Sequence, residues 1–138
     1  MSNPNTVGPR PHYLLPDWKL EVTSSGKSAH LEGRVLFSTS DSSVGDRVDH
    51  VNAMTHGFAV WNAAHLMCME TGLINPRSVE TTVWSHKVTP PDVEVDMVVD
   101  SVIVSENDGR VRGRTNAVFS RDGVVLCEVL ARFVASRA

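Results

Sequence analysis

The chain has 138 residues, the size of a single domain with one hydrophobic core. Its 13 basic and 16 acidic residues leave a formal net charge of −3, which argues against a broad basic surface for nucleic acid. Hydrophobic residues make up 41% and charged residues 21%, as in a globular protein rather than a disordered chain. We therefore expect one globular domain that does not bind nucleic acid.

The N-terminal segment is rich in proline and has no apolar run. Because proline lacks an N–H, residues 1–17 are predicted to form a flexible arm, and residues 18–138 a single folded domain. No stretch has the apolar length of a membrane helix, and the N-terminus does not have the pattern of a secretion signal. The two cysteines, Cys68 and Cys127, make neither a disulfide framework nor a zinc site. We expect a cytoplasmic protein with no membrane contact and no metal.

The first strong strand pattern covers residues 29–39, where Leu31, Val35 and Phe37 alternate with polar residues. A polar loop follows up to residue 52. Residues 53–69 then contain no Asp, Glu, Lys or Arg and are apolar on nearly every side of a helix. A helix of this composition is typical of a position enclosed by the protein.

Four further runs have the composition of strands, at residues 78–88, 93–105, 110–120 and 124–135. They alternate apolar and polar positions and are rich in β-branched residues. Two short turns, Asn107-Asp108-Gly109 and Arg121-Asp122-Gly123, join the last three runs as antiparallel hairpins.

The absence of charge from the predicted helix distinguishes between two folds. A helix on an ordinary α+β layer would carry a charged solvent face, whereas a helix inside a curled sheet needs none. The sequence therefore predicts the α+β hotdog fold, in which an antiparallel sheet of about five or six strands wraps around one long buried central helix.

A short motif lies between the first strand and the helix and reads Asp46-Arg47-Val48-Asp49-His50-Val51-Asn52-Ala53. It resembles the Asp-x-x-Gly-His-Val-Asn-Asn signature of the 4-hydroxybenzoyl-CoA thioesterase-type hotdog enzymes, with Asp49 in place of the glycine and Ala53 in place of the second asparagine. His50-Val51-Asn52-Ala53, with Asn62 on the helix, is also similar to the long-chain fatty acyl-CoA thioesterase type.

These resemblances imply an acyl-thioester hydrolase whose substrate is linked to CoA or to an acyl carrier protein, with no cofactor. Asp46 would be the nucleophile or base, while the helix N-terminus polarises the thioester carbonyl. His50 and Asn52 would position the reacting groups, with His56 or Asn62 nearby. From the residues alone, a turn residue that caps its own loop is the favoured interpretation of Asp46, and the spacing of the family motif makes the catalytic role about equal to it. Asn52 is expected to cap the helix.

Two other functions remain open at this stage. A hotdog hydratase or dehydratase could use His50. Those enzymes place a Glu or Asp on the helix, and the corresponding position in this sequence is Ala64 or Asn62. The missing acid counts against dehydration. A catalytically silent hotdog subunit that only binds acyl chains is the other alternative.

Several more residues are candidates for contacts with substrate. Gly57 weakens a helix, so a close approach by a strand or a thioester is expected there. Phe58 and Trp61 could line an acyl tunnel, although core packing accounts for them as well. Arg112, in an alternating stripe with Arg110 and Arg114, could bind carrier phosphates or lie on a solvated outer face, and Lys87 has the same two possibilities.

His65 is expected to be structural, and both it and Asn62 should find hydrogen-bond partners if buried. An exposed edge strand is an association liability, and hotdog relatives join two sheets edge to edge. The resemblance therefore implies a homodimer or a dimer-based tetramer.

Overall fold

A computed structural model describes residues 13–40, 44 and 50–137. Its six strands and one helix are β1 (Lys19–Val22), β2 (Ser28–Leu36), α1 (Ala53–Glu70), β3 (Leu73–Ser85), β4 (Glu94–Asn107), β5 (Arg110–Arg121) and β6 (Val124–Arg137). The strands form one antiparallel sheet in the order β1-β2-β4-β5-β6-β3.

The two predicted hairpin turns join β4 to β5 and β5 to β6. Asp108 and Gly109 have φ angles of 52° and 76°, and Asp122 and Gly123 have φ angles of 53° and 78°. Two successive positive φ angles match the twist of the flanking strands, which is why Asp-Gly pairs favour such hairpins. These turns fix the β4-β5-β6 meander at the centre of the sheet.

Helix α1 lies against one face of this sheet. Val60, Ala63 and Met67 on its sheet-facing side are at most 1% exposed. The ring of His56 packs against Phe119 near the end of β5, with 5.0 Å between ring centroids. Cys68 packs with Val111 near the start of the same strand. A sheet around one central helix confirms the predicted hotdog fold.

One stripe of α1 is not covered by the sheet. Met54, Phe58 and Met69 are 60%, 51% and 56% exposed. Trp61 and His65, between them along the same stripe, are only partly buried. The expectation of burial on nearly every side therefore holds for the sheet side of α1, whereas its opposite side is apolar without being covered within one chain.

The start of one strand differs from the sequence expectation. Strand β3 begins at Leu73, not residue 78, because Asn75 has a φ of 52° and the pairing with β6 shifts register twice. These irregularities interrupt the alternation on which the prediction depended. At the N-terminal end of the described residues, Tyr13 is 3% exposed and its backbone oxygen accepts the N–H of Leu36, so the chain packs against β2 from Tyr13 onward.

None of the helices in the described part of the chain is both long and apolar enough to cross a bilayer.

Candidate functional site at the N-terminus of α1

Helix α1 begins at a capped and uncharged first turn. The side-chain oxygen of Asn52 accepts the N–H of Met54 at 2.9 Å, which confirms the predicted capping role of Asn52. No acidic residue lies in the first turn. The partial positive charge of the helix N-terminus is therefore not neutralised by a carboxylate on the helix itself and can polarise a carbonyl oxygen.

His56 lies directly behind this turn and is 1% exposed. Its Nδ1 faces the carbonyl oxygens of Asn52 and Ala53 at 3.2 and 3.3 Å. Because carbonyls only accept, Nδ1 carries the proton and Nε2 accepts from the hydroxyl of Thr89 at 2.8 Å. Burial lowers the pKa of His56, so the neutral ring is favoured.

Thr89 was not a candidate from the sequence, because nothing in the local pattern relates it to the helix. Its backbone oxygen accepts the N–H of Val51 at 2.8 Å, and its hydroxyl binds His56. Thr89 thus connects Val51, which follows His50, to His56 in the first turns of α1. This contact spans residues far apart in the chain, so only the folded structure reveals it.

His50 is exposed at the entry to this segment. Asp46, the predicted nucleophile or base, lies outside the described residues. Of the motif that motivated the site, the structure thus describes His50, Val51, Asn52 and Ala53.

Asn62 is the most unusual polar residue of α1. It is 2% exposed, yet neither its side-chain oxygen nor its side-chain nitrogen has a hydrogen-bond partner. The Nδ1 atom of His65, about 60° away around the helix, is also buried without a partner. The expectation that both side chains would find partners is wrong for these atoms within one chain.

The three remaining helix candidates lie around the uncovered stripe. Phe58 is exposed, and Trp61 contacts His65 with ring centroids 6.4 Å apart. A Cβ atom added to Gly57 would lie 3.4 Å from Thr81 and 3.8 Å from Val83 of β3. These are ordinary contact distances, so the approach of β3 alone does not require glycine at position 57.

The two basic candidates lie at opposite ends of the sheet. Lys87 is exposed and close in sequence to Thr89, so it belongs to the α1 N-terminal end. Arg112 is next to Val111, which packs at the C-terminal end of α1, and its exposed side chain lies on the outer face. The seven residues from Arg112 to Phe119 span roughly 24 Å along β5. Arg112 is therefore not brought together with the α1 N-terminus of its own chain.

Neither cysteine is suited to nucleophilic catalysis. Burial raises the pKa of the Cys68 thiol to about 12 and that of Cys127 to about 11. Both remain protonated at neutral pH, whereas the thiolate is the reactive form. Within residues 13–40, 44 and 50–137, no cluster of His, Cys, Asp or Glu could hold a metal ion.

Comparisons with known proteins agree with the fold. No protein-family profile and no curated protein matches this sequence. A thioesterase superfamily protein of known structure superimposes with a TM-score of 0.55 at 17% identity over 83% of this chain. The chain spans about half, 52%, of the length of that protein.

Two further structures carry a bound ligand. A hypothetical thioesterase from Streptococcus pneumoniae, crystallised with coenzyme A, has a TM-score of 0.57 at 10% identity and covers 88% of this chain and 89% of its own. A Streptococcus mutans protein bound to acetyl-CoA has a TM-score of 0.56 at 9% identity, and the superposition covers 90% of this chain and 94% of that protein. At these identities the similarity establishes the hotdog fold.

Proposed function

We propose that this protein is an acyl-thioester hydrolase acting on a CoA-linked or acyl-carrier-protein-linked substrate. The observation that carries the proposal is the Asn62 amide, which is buried and unpaired on the central helix of a hotdog fold. An unpaired buried amide costs about 1–3 kcal/mol, so a ligand that satisfies it gains binding free energy. The coenzyme A and acetyl-CoA in two structures of the same fold support a thioester as that ligand.

In the proposed reaction, Asp46 attacks the thioester carbonyl or deprotonates the attacking water. Backbone N–H groups at the start of α1 stabilise the developing oxyanion, helped by the absence of a carboxylate in the first turn. If Asp46 is the nucleophile, the thiolate leaves and water then hydrolyses the acyl anhydride formed on Asp46. If Asp46 is the base, the attacking water has already added to the carbonyl, so loss of the thiolate gives the free acid directly, and Asp46 passes the proton it took to the thiolate. No cofactor is needed because no redox change occurs.

The other candidates receive supporting roles. His50 orients the carbonyl at the mouth of the site, while Asn52 holds the helix start. His56 positions these residues through Thr89 instead of touching substrate, because both its ring nitrogens are already bonded. Lys87 is the proposed phosphate contact at this end of the sheet.

We propose that the site is completed in a homodimer. Strand β3 is an edge strand of the sheet. The uncovered stripe of α1 is continuous, uncharged and includes Met54, Phe58 and Met69. Pairing two β3 edges would cover these apolar surfaces and enclose Phe58 and Trp61 as an acyl-binding wall. A tetramer built from two such dimers is the alternative assembly.

We also propose a cytoplasmic location, with which the two buried free thiols are compatible.

The function is tested with CoA thioesters of increasing acyl length and detection of the free thiol. Asp46→Asn preserves shape but removes the negative charge, so turnover should fall by about 10²-fold or more while the melting temperature changes little. Asp108→Asn is the matched control, since Asp108 lies in an exposed hairpin turn where asparagine accepts a positive φ.

Asn62→Ala distinguishes the proposal from an acid-free mechanism. Loss of turnover in Asn62→Ala with full activity in Asp46→Asn would exclude Asp46 as nucleophile or base. Binding of the thioester without turnover by the unaltered chain would instead identify a silent acyl-binding subunit.

A further inference from the structure

The outer face of the sheet, opposite α1, has a strongly basic half. Arg112 pairs in register with Val134, which in turn pairs with Arg77, and Arg114 pairs with Arg132. Arginines from three neighbouring strands are therefore side by side. We call this surface the arginine face; its members are Arg77, Arg110, Arg112, Arg114 and Arg132.

Within residues 13–40, 44 and 50–137, no acidic side chain forms an ion pair with the arginine face. Arg34 binds Asp17 and Glu94, and Arg137 binds Glu106. In contrast, none of the five guanidinium groups makes a hydrogen bond or ion pair within the described part of the chain. Glu80, the register partner of Arg132, carries the opposite charge on this surface but forms no ion pair with it.

The acidic residues lie mainly on the other half of the sheet. Glu32 and Asp100 bind His30, and Glu94 binds Arg34, all on β2 and β4. The chain has a net charge of −3, so the five exposed guanidinium groups on β5, β6 and β3, which have no ion-pair partner among the described residues, are a local concentration of positive charge. Such a concentration attracts an anionic partner.

The dimensions of the arginine face indicate the kind of partner. It extends about 14 Å along β5, from Arg110 to Arg114, and about 10 Å across to β3. Two open clefts of about 750 and 550 Å³ cross it. A single phosphate contacts only one or two guanidinium groups, whereas a helix is about 10–12 Å wide and presents carboxylates about 5–6 Å apart.

Apolar residues within the same clefts favour a protein over a nucleic acid. Val79 and Val104 are each 65% exposed and line the smaller cleft with Arg112 and Arg132. Arginine mixed with exposed apolar surface is typical of protein interfaces. Single-stranded nucleic acid instead needs exposed aromatic rings for stacking, and Phe133, the aromatic residue lining this cleft, is 3% exposed.

A second copy of the chain fits this surface poorly. If β3 edges join in a dimer, the two arginine faces become neighbours at the middle of the joint sheet. Stacking two such dimers through their outer faces would oppose like charges. We propose that the arginine face docks an acidic amphipathic helix of a partner protein, independently of the thioester chemistry at α1.

The test uses a fluorescein-labelled amphipathic helical peptide with glutamate at i, i+4 spacing beside leucine, and a twin peptide with glutamine in place of glutamate. Binding to the full chain is followed by fluorescence anisotropy. Arg77→Gln combined with Arg132→Gln should weaken binding by about tenfold. Arg121→Gln, an exposed arginine at the far end of β5, should leave binding within about twofold. Added salt should weaken binding of the unaltered chain more than binding of the double variant.

Three results would overturn the proposal: equal binding of the glutamine twin, unchanged affinity of the double variant, or the same loss in Arg121→Gln. Tighter binding of CoA, of an oligonucleotide or of phosphatidylserine vesicles, abolished by the double variant, would reassign the face to phosphate groups. Thioester turnover by the double variant should equal that of the unaltered chain. A failure at the arginine face is therefore distinguishable from a failure of the proposed hydrolase function.

Discussion

The Nε2 atom of His56 lies 2.8 Å from the hydroxyl oxygen of Thr89, and both residues are at most 2% exposed. Thr89→Val keeps the shape of the side chain but leaves Nε2 without a donor. The free energy of unfolding should fall by about 1–3 kcal/mol in urea titrations. Thr82→Val, a partly exposed position on β3, should change it by no more than about 0.5 kcal/mol. A loss in the control as large as in Thr89→Val would contradict the buried-pair explanation.

The buried His56 also predicts how stability depends on pH. Burial lowers its pKa, so below about pH 6.5 the unfolded chain binds this proton more readily than the folded chain. The free energy of unfolding should therefore decrease as pH falls below that value and level off below the folded pKa. Burial lowers the pKa of His65 in the same direction, whereas hydrogen bonds to Asp100 and Glu32 raise that of His30 and oppose the trend.

The contribution of His56 is isolated by comparing His56→Gln with the unaltered chain at about pH 7.5 and about pH 5.5. At the higher pH, His56→Gln should have a lower free energy of unfolding than the unaltered chain. On acidification, that free energy should fall less in the variant than in the unaltered chain. Identical losses in the two proteins would exclude His56 as the source of the acid sensitivity.

Gly113 is required by Phe133, which packs directly over it. A Cβ atom at position 113 would lie 2.1 Å from the ring of Phe133, whose side chain is buried. Gly113→Ala should destabilise the protein by about 1–3 kcal/mol through overpacking, measured by chemical denaturation. Phe133→Leu should lower the free energy of unfolding by less when it is added to Gly113→Ala than when it is made in the unaltered chain. Strictly additive losses would indicate that the two positions do not compete for space.

Gly57 should behave in the opposite way. A methyl group there makes only ordinary contacts with β3, and alanine favours the helix, so Gly57→Ala should stabilise the chain by up to about 1 kcal/mol. If a thioester approaches α1 at this position, KM for CoA thioesters should rise by about tenfold in the same variant. Unchanged KM would remove Gly57 from the proposed substrate-binding surface.

The sequence was sufficient for elements whose pattern is local. The absence of charge from residues 53–69 and the Asp-Gly pairs at 108–109 and 122–123 predicted α1 and the central meander. The start of β3 could not be predicted, since Asn75 and two register shifts disrupt alternation on an edge strand that is exposed on both faces.

The candidate site was predicted less completely, because its contacts are between distant residues. The capping by Asn52 is a local effect and followed from the sequence. The contact between Thr89 and His56 joins residues 33 positions apart, and the grouping of Arg77 with Arg132 depends on strand register. The unpaired amide of Asn62 follows from packing around the helix, which no sequence pattern encodes.

The position of β6 in the sheet has a consequence for the order of folding. It is the last strand in the sequence, yet it lies between β5 and β3, and every hydrogen-bonded partner of β3 within the described sheet is on it. During synthesis, α1 and β3 emerge from the ribosome well before β6, the strand with which β3 pairs and against which α1 packs. Strand β3 has no pairing partner within the described sheet until β6 arrives, so nascent chains that end before Val124 should be a target for chaperones.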